Sequence, residues 1–196
     1  MAVLVEQEHE EQAHEESAPR QLARVVPSSE QECDDALFSF SGHAGGLTAD
    51  TEGAIWVSDT LSATIWRVTE DGIATTLVVA PAAVEQGWKR SIRLAAPAGL
   101  ALSPDGSLFV ADSTRHRVCV VSPDGSLRVV AGGANGYRGG PGTEAMFRFP
   151  LDVALGPDGT CYVADTANDR IRAISSDGVV TTVAGAGYDY AAGEEH

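Results

Sequence analysis

One sequence pattern returns three times in this chain with a period of 53 residues. Glycine, aspartate and glycine markers keep this spacing in three separate registers: Gly53, Gly106 and Gly159; Asp59, Asp112 and Asp165; Gly72, Gly125 and Gly178. Because three independent markers share one period without slippage, the chain is predicted to consist of structurally equivalent units.

Each unit reads as four short strands joined by tight turns. In the third unit, runs rich in Val, Ile and Thr occupy 152–155, 161–164, 170–174 and 179–183, with turn-forming residues between them. Asp-Gly pairs between such runs favour hairpins, because glycine accepts a positive φ and aspartate bonds to its own turn. Four antiparallel strands in a repeat of this length are typical of a β-propeller blade. We therefore predict an all-β chain of three four-stranded blades, at 45–80, 98–133 and 151–187.

The units resemble NHL repeats. The second unit matches that family's pattern at Pro97, Gly99, Leu100, Ala101, Asp105, Gly106, Val110, Ala111, Asp112, Ser113 and Arg117. The third unit matches it at Pro150, Val153, Ala154, Asp158, Gly159, Val163, Ala164, Asp165, Thr166, Asn168 and Arg170. The first unit departs from the pattern, with Ser58 in place of alanine and Thr64 where the other units have Arg117 and Arg170. The resemblance covers 45–187 and implies a propeller that is usually six-bladed.

Three blades do not close such a ring. A step of 53 residues back from the first unit's last strand lands on 21–26, which we interpret as the outer strand of a preceding blade within 20–44. Residues 188–196 are interpreted as a tail or the start of another connection. An open arc would expose apolar blade faces, which monomers rarely do over large areas. Three alternatives follow: the chain is part of a longer propeller, it pairs with a second copy, or another protein completes the ring.

Charge separates the first residues from the repeats. The chain carries a net charge of −15, and residues 1–36 hold ten acidic side chains against Arg20 and Arg24. Segment 1–19 is therefore predicted to be an acidic disordered tail. The acidic balance argues against a nucleic-acid partner. The start of the chain lacks a secretory pattern and no apolar run is long enough to span a membrane, so an intracellular, non-secreted protein is expected.

The cysteines support the same compartment. Cys33, Cys119 and Cys161 form an odd and sparse set without metal-ligand spacing, which favours a reducing environment. Cys161 takes the place of Ile55 and Leu108, so it is expected to be a small buried hydrophobic residue. Cys119 shares its register with Trp66 and Arg172, which suggests an outward strand face.

The repeated polar residues are interpreted as structural. Asp59, Asp112 and Asp165 each precede Ser or Thr after the second strand of a unit, where an aspartate caps a turn or pairs with the arginine of the next strand. Arg117 and Arg170 are the expected arginine partners. Metal binding by these aspartates is the less favoured reading. No cofactor is expected.

The candidate binding residues lie in the connections between units. Loop 85–93 is a local basic patch in which Trp88 lies beside Lys89, Arg90 and Arg93, a combination that suits an acidic partner. Tyr137 and Arg138, in the connection 136–150, complete the set.

Two classes of function remain open. The first is a non-catalytic protein-binding or scaffold module, which the NHL resemblance implies and which we favour. The second is a fragment of a six-bladed propeller enzyme of the metal-dependent lactonase or lyase type. That chemistry needs several inward-facing ligands, and the innermost strands offer only Asp50 and Asp152.

Overall fold

A computed structural model describes residues 43–77, 80–81 and 93–186, with only the backbone described at 80–81. Several predictions fall outside these ranges: the acidic tail 1–19, the extra strand 21–26, Cys33, the basic-loop residues Trp88, Lys89 and Arg90, and the terminal segment 188–196.

The described chain forms three sheets of mainly antiparallel strands, which we number as blades 1 to 3. Blade 1 contains β1 (Ala44–Ala49), β2 (Ile55–Asp59), β3 (Thr64–Val68) and β4 (Ala74–Thr76). Blade 2 contains β5 (Ala80–Pro81), β6 (Pro97–Leu102), β7 (Leu108–Asp112), β8 (Arg117–Val121) and β9 (Ser126–Gly132). Blade 3 contains β10 (Gly140–Pro141), β11 (Pro150–Leu155), β12 (Cys161–Asp165), β13 (Arg170–Ile174) and β14 (Val179–Ala184). The predicted fold class, three propeller blades of four antiparallel strands, is confirmed.

Blades 2 and 3 gain a short fifth strand from the connection that precedes them. Two residues of β5 pair in parallel with β9, and two residues of β10 pair antiparallel with β14. Sequence reasoning missed both, because a two-residue edge strand has no alternating pattern of its own. Each short strand covers the outer edge of a blade and holds the connection against it.

In each blade, turns with a left-handed glycine join the first long strand to the second and the third to the fourth, and most of these turns are Asp-Gly. In the first turn of blade 2, the Gly106 N–H donates to the Ser103 carbonyl at 2.9 Å, and the Ser103 N–H donates to the Ser107 carbonyl at 2.9 Å. Gly106 has a φ of +81°, and its repeat equivalents Gly53 and Gly159 have +86° and +81°. These left-handed positions are the physical reason that glycine keeps the 53-residue register.

The core lies between the blades and not within one sheet. One buried cluster joins blade 1 to blade 2 and includes Ile65, Leu100, Leu108 and Val121. A second cluster joins blade 2 to blade 3; its buried members are Ala98, Ala101, Ala111, Val118, Ala131, Ala145, Phe147, Val153, Cys161, Val163, Ile174 and Val180. Each blade therefore uses one sheet face toward the preceding blade, its rear face, and the other toward the following blade, its forward face.

The predicted outward position of Cys119 is wrong. Cys119 is fully buried on the rear face of blade 2, in the cluster shared with blade 1. A middle blade is covered on both faces, so alternate strand positions point to two different neighbours and neither set points to solvent. Cys161 is buried, as expected for a small hydrophobic residue.

The first strands of neighbouring blades approach closely at glycine. A Cβ on Gly46 would lie 2.8 Å from the Gly99 Cα, and a Cβ on Gly99 would lie 2.5 Å from the Asp152 Cα. Ser58 bridges the same junction between blades 1 and 2, since its Oγ donates to the Ala98 carbonyl at 2.6 Å. The three equivalent positions 46, 99 and 152 thus line up along the arc.

Candidate interaction surface

The forward face of blade 3 repeats a surface that is buried one blade earlier. On blade 2, the forward face is formed by Ala98, Ala101, Phe109, Ala111, Val118, Val130 and Ala131, all packed into the cluster shared with blade 3. The residues 53 positions later on blade 3 are Leu151, Ala154, Tyr162, Ala164, Ile171, Val183 and Ala184. These seven residues are called the forward surface of blade 3.

The forward surface of blade 3 is apolar and exposed. Ile171 is 41% exposed, whereas its equivalent on blade 2, Val118, is 0% exposed. Leu151 is 46% exposed, and its equivalent Ala98 is 6% exposed. Tyr162 and Val183 are likewise exposed. The sequence thus retains interface residue types at positions that no described residue covers, a pattern typical of an interaction site.

A shallow depression runs along this surface. Its volume is about 190 Å³, and its lining includes Val153, Tyr162, Ala164 and Ile171. Asp152 lies at its inner edge, where the equivalent positions on blades 1 and 2 are Gly46 and Gly99. One carboxylate oxygen of Asp152 accepts the Val153 N–H at 2.9 Å.

Two apolar positions on the rear face of blade 1 are exposed in the complementary register. Leu47 and Ile55 are 70% and 41% exposed. Their blade 2 equivalents, Leu100 and Leu108, are buried against blade 1. We call Leu47 and Ile55 the rear surface of blade 1; Val57 and Ala74, on the same face, are buried. The arc therefore has a forward-type surface on its last blade and a rear-type surface on its first.

The repeated aspartates are buried and hold the chain between blades. The Asp112 carboxylate accepts the Ala95 and Ala96 N–H groups at 2.9 and 3.0 Å and pairs with Arg117 at 2.7 Å. The Asp59 carboxylate accepts the N–H groups of Leu61 and Ser62, both at 3.2 Å. These contacts fit the structural interpretation of the motif, because the buried carboxylates satisfy backbone donors.

The pairing predicted between Asp165 and Arg170 is wrong. Asp165 pairs instead with the fully buried Arg172, at 3.1 Å. Positions i and i+2 of a strand share a face, so both arginines of β13 point toward the same side of the sheet. Arg170 donates to the carbonyls of Asn168 and Ala186 at 3.0 and 2.6 Å.

Tyr137 covers these arginines. The Arg170 guanidinium lies 3.9 Å from the centre of the Tyr137 ring, and that of Arg172 lies 4.7 Å from it. The Tyr137 hydroxyl forms a hydrogen bond with the Thr182 hydroxyl at 3.0 Å, which lowers the tyrosine pKa. Tyr137 and Arg138 thus lie together in the connection to blade 3, where the Arg138 carbonyl accepts a hydrogen bond from Arg172 at 3.0 Å.

Arg93 lies in a different connection, before blade 2. Its carbonyl accepts a hydrogen bond from Arg117 at 2.6 Å. The structure therefore does not bring Arg93 together with Tyr137 and Arg138 through any described contact.

A group of charged residues, Asp50, Glu52 and Arg67, lines a cleft between blades 1 and 2. Burial raises the pKa of Asp50, but hydrogen bonds from Arg67 and from the backbone of Ala54 and Glu52 lower it by more. The pKa of Asp50 therefore lies below its ordinary value. Arg67 also pairs with Glu52 at 2.8 Å, and the Trp56 indole N–H donates to Asp50 at 3.3 Å. Asp50 is thus committed to an ion pair.

Among residues 43–77, 80–81 and 93–186, no group of three or more His, Cys, Asp and Glu side chains is arranged to hold a metal ion. The Nδ1 of His116 accepts the Phe149 N–H at 3.2 Å. Its ring contacts the Phe149 ring edge to face. Within the described ranges, every helix is too short and too polar to cross a bilayer.

Sequence reasoning did not single out the forward surface of blade 3. The signal was available, because adding the 53-residue period to an apolar blade 2 position predicts the residue type that a following blade would contact. The sequence did not show which neighbouring blade each strand face points toward, because that depends on the order of the blades in space.

Comparison with known proteins supports the repeat assignment. A family model described as NHL repeat matches residues 94–121. The NHL repeat-containing protein 2 of Gallus gallus is 42% identical over 82 residues, covering 41% of this chain and 11% of that protein. The chain thus corresponds to a small part of the curated relatives that it matches.

The chain is also similar to two other proteins. The peptidyl-glycine alpha-amidating monooxygenase A of Xenopus laevis is 32% identical over 130 residues, covering 65% of this chain and 14% of that protein. A chain of a solved nidogen/laminin complex aligns with a TM-score of 0.53 and 23% identity, covering 73% of this chain and 48% of that chain. The predicted resemblance to NHL-repeat β-propellers is confirmed.

Proposed function

We propose that this NHL-repeat propeller segment is a non-catalytic protein-binding or scaffold module, and that its principal binding surface is the forward surface of blade 3. The supporting observation is the contrast between Val118, buried at a blade junction, and its exposed repeat equivalent Ile171. The forward surface of blade 3 has the apolar residue types of a buried blade junction. It therefore favours a partner that presents an apolar face of its own.

Electrostatics favours the same kind of partner. The forward surface of blade 3 consists of seven uncharged residues, with Asp152 at its inner edge. Because the surface carries no cluster of cations, it has no electrostatic means of holding a polyphosphate backbone. Burial of apolar area is the available source of affinity.

Site-specific photo-crosslinking tests this proposal. A photoreactive phenylalanine analogue at Tyr162 is expected to give covalent adducts with protein in cells that express the full chain. The same analogue at Ser176, an exposed turn position of blade 3, serves as the matched control and is expected to give none. Equal adduct yields at the two positions, or no adduct at Tyr162, would contradict a binding role for this surface.

The second candidate is a fragment of a metal-dependent propeller enzyme. The match to an enzyme over 65% of this chain is the observation that favours it. Its weakness is that no ligand cluster forms among the described residues. Elemental analysis of the chain, purified without chelators, separates the two candidates: one equivalent of a tightly held divalent metal favours the enzyme, and a substoichiometric trace favours the binding module.

A further inference from the structure

The arc has an exposed surface at each end, and the two surfaces correspond to the two sides of a blade junction. Blade 2 joins blade 3 by placing a forward face on a rear face, and blade 1 joins blade 2 in the same way. The exposed forward surface is on blade 3 and the exposed rear surface is on blade 1. One copy of the chain therefore carries, on blade 1, a surface complementary to the exposed surface of its own blade 3.

From this complementarity we infer that the partner of the forward surface of blade 3 is the rear surface of blade 1 on a second copy of this chain. The inference rests on the proposed binding function and names its partner. Two copies related by a two-fold axis would make this contact twice, so that both pairs of exposed surfaces are covered and the assembly closes.

The residue types on the two surfaces fit this contact. At the junction of blades 2 and 3, Val118 packs in one cluster with Cys161 and Val163. At the inferred junction, the equivalent of Val118 is Ile171 on one copy, and the equivalent of Cys161 is Ile55 on the other. Both are apolar, so the contact leaves no unpaired charge between them.

Asp152 is a charged departure from the repeated junction. It occupies the register of Gly46 and Gly99, where a Cβ would already lie 2.8 Å or less from the backbone of the next blade. A side chain at this position keeps the first strands of the inferred junction further apart than those within the arc. Replacing Asp152 with glycine is therefore expected to tighten the contact between copies.

Sedimentation of the purified full chain tests the inference. A single species of twice 20.4 kDa is expected for the native chain. Ile171→Asp places a charge in the inferred contact and is expected to raise the dissociation constant by at least ~30-fold. Ser176→Asp carries the same added charge on the same blade outside the contact and is expected to behave as the native chain does. The circular dichroism spectrum and melting midpoint of each variant establish that it remains folded.

Mixing two defective variants tests the direction of the contact. Ile171→Asp damages the forward surface and Ile55→Asp damages the rear surface, so each variant alone has two damaged contacts in a two-copy ring. A mixture can form rings that keep one native contact, and it is expected to associate more tightly than either variant alone. A self-complementary contact between two forward surfaces predicts no such recovery, and that result would overturn the inference.

The remaining outcomes also separate the two proposals. A native chain that sediments as a monomer, or as an open series of larger species, would overturn the second-copy inference. So would Asp152→Gly weakening association. Crosslinks from Tyr162 to a different protein would leave the proposed binding function standing while showing that its partner is not a second copy.

Discussion

Asp112 shows how a single residue of the repeat can hold two parts of the chain together. Its carboxylate is fully buried, accepts two backbone N–H groups before blade 2 and pairs with Arg117. Burial of this charge is tolerated because both carboxylate oxygens accept hydrogen bonds, one from the backbone and the other from Arg117. The aspartate that marks the repeat in the sequence therefore joins the segment before β6 to β8, a structural role that we call a latch.

Removing this charge should be costly. Asp112→Asn leaves the mostly buried Arg117 without its ion-pair partner, and we expect the free energy of unfolding to fall by about 3 kcal/mol. The measurement is urea denaturation followed by circular dichroism. Glu144→Gln makes the same chemical change on an exposed residue and should shift stability by less than ~0.5 kcal/mol. Equal effects at both positions would contradict the latch.

The two described cysteines should be unreactive in the folded chain. Burial raises the pKa of the Cys119 and Cys161 thiols to about 12, so almost no thiolate exists near neutral pH. In a Cys33→Ser variant, Ellman's reagent at pH 8 is expected to label neither thiol in the native protein and both in guanidinium chloride. Raising the pH from 7 to 9 should not restore labelling while the fold persists. Rapid native labelling would show that a blade junction opens.

At the scale of elements, the third strand of every blade begins just after a left-handed residue. Ala63, His116 and Asp169 lie 53 residues apart and have φ values of +54°, +52° and +51°. Histidine and aspartate are enriched in this conformation, whereas alanine pays the steric cost of its Cβ against the following carbonyl. Blade 1 thus carries a strained residue where the other two blades do not.

This strain predicts a stabilising substitution. Asparagine tolerates the left-handed region better than alanine does, so Ala63→Asn is expected to increase the free energy of unfolding by about 0.5–1 kcal/mol. Ala167→Asn, in the turn before β13 but without a positive φ, provides the control and should give no gain. A loss of stability in the Ala63 variant, measured by chemical denaturation, would show that another contact fixes this position.

The elements also show why sequence predicted some features and missed others. Gly106 and Asp112 keep their register because a turn and a buried latch demand those residue types, and so the strands between them were predictable. Arg172 was missed as the partner of Asp165 because strand alternation allows two arginines on one face, and sequence alone does not say which reaches inward. Cys119 was misplaced because an alternating strand does not reveal that both sheet faces are covered.

At the scale of the whole molecule, the described blades form a linear array in which blade 2 packs against blade 1 on one face and against blade 3 on the other. Blade 2 has both faces covered, and all five residues of β8 are buried. Blades 1 and 3 each have an apolar surface exposed within a single copy. In such arrays, stability is the sum of blade and junction contributions, so the outer blades depend on whatever covers their open faces.

Hydrogen exchange should report this dependence blade by blade. In Ile171→Asp, where the forward surface of blade 3 stays uncovered, backbone amides of β12 and β13 are expected to exchange faster than those of β7 and β8, because blade 3 can open without disrupting blade 2. In the native chain at high concentration, β12 and β13 should gain protection, and dilution should remove it. Ser176→Asp should keep the native pattern. If β12 and β13 exchange at the same rate in the native and Ile171→Asp chains at every concentration, nothing covers the forward surface of blade 3, and the arc is stable with its last blade exposed.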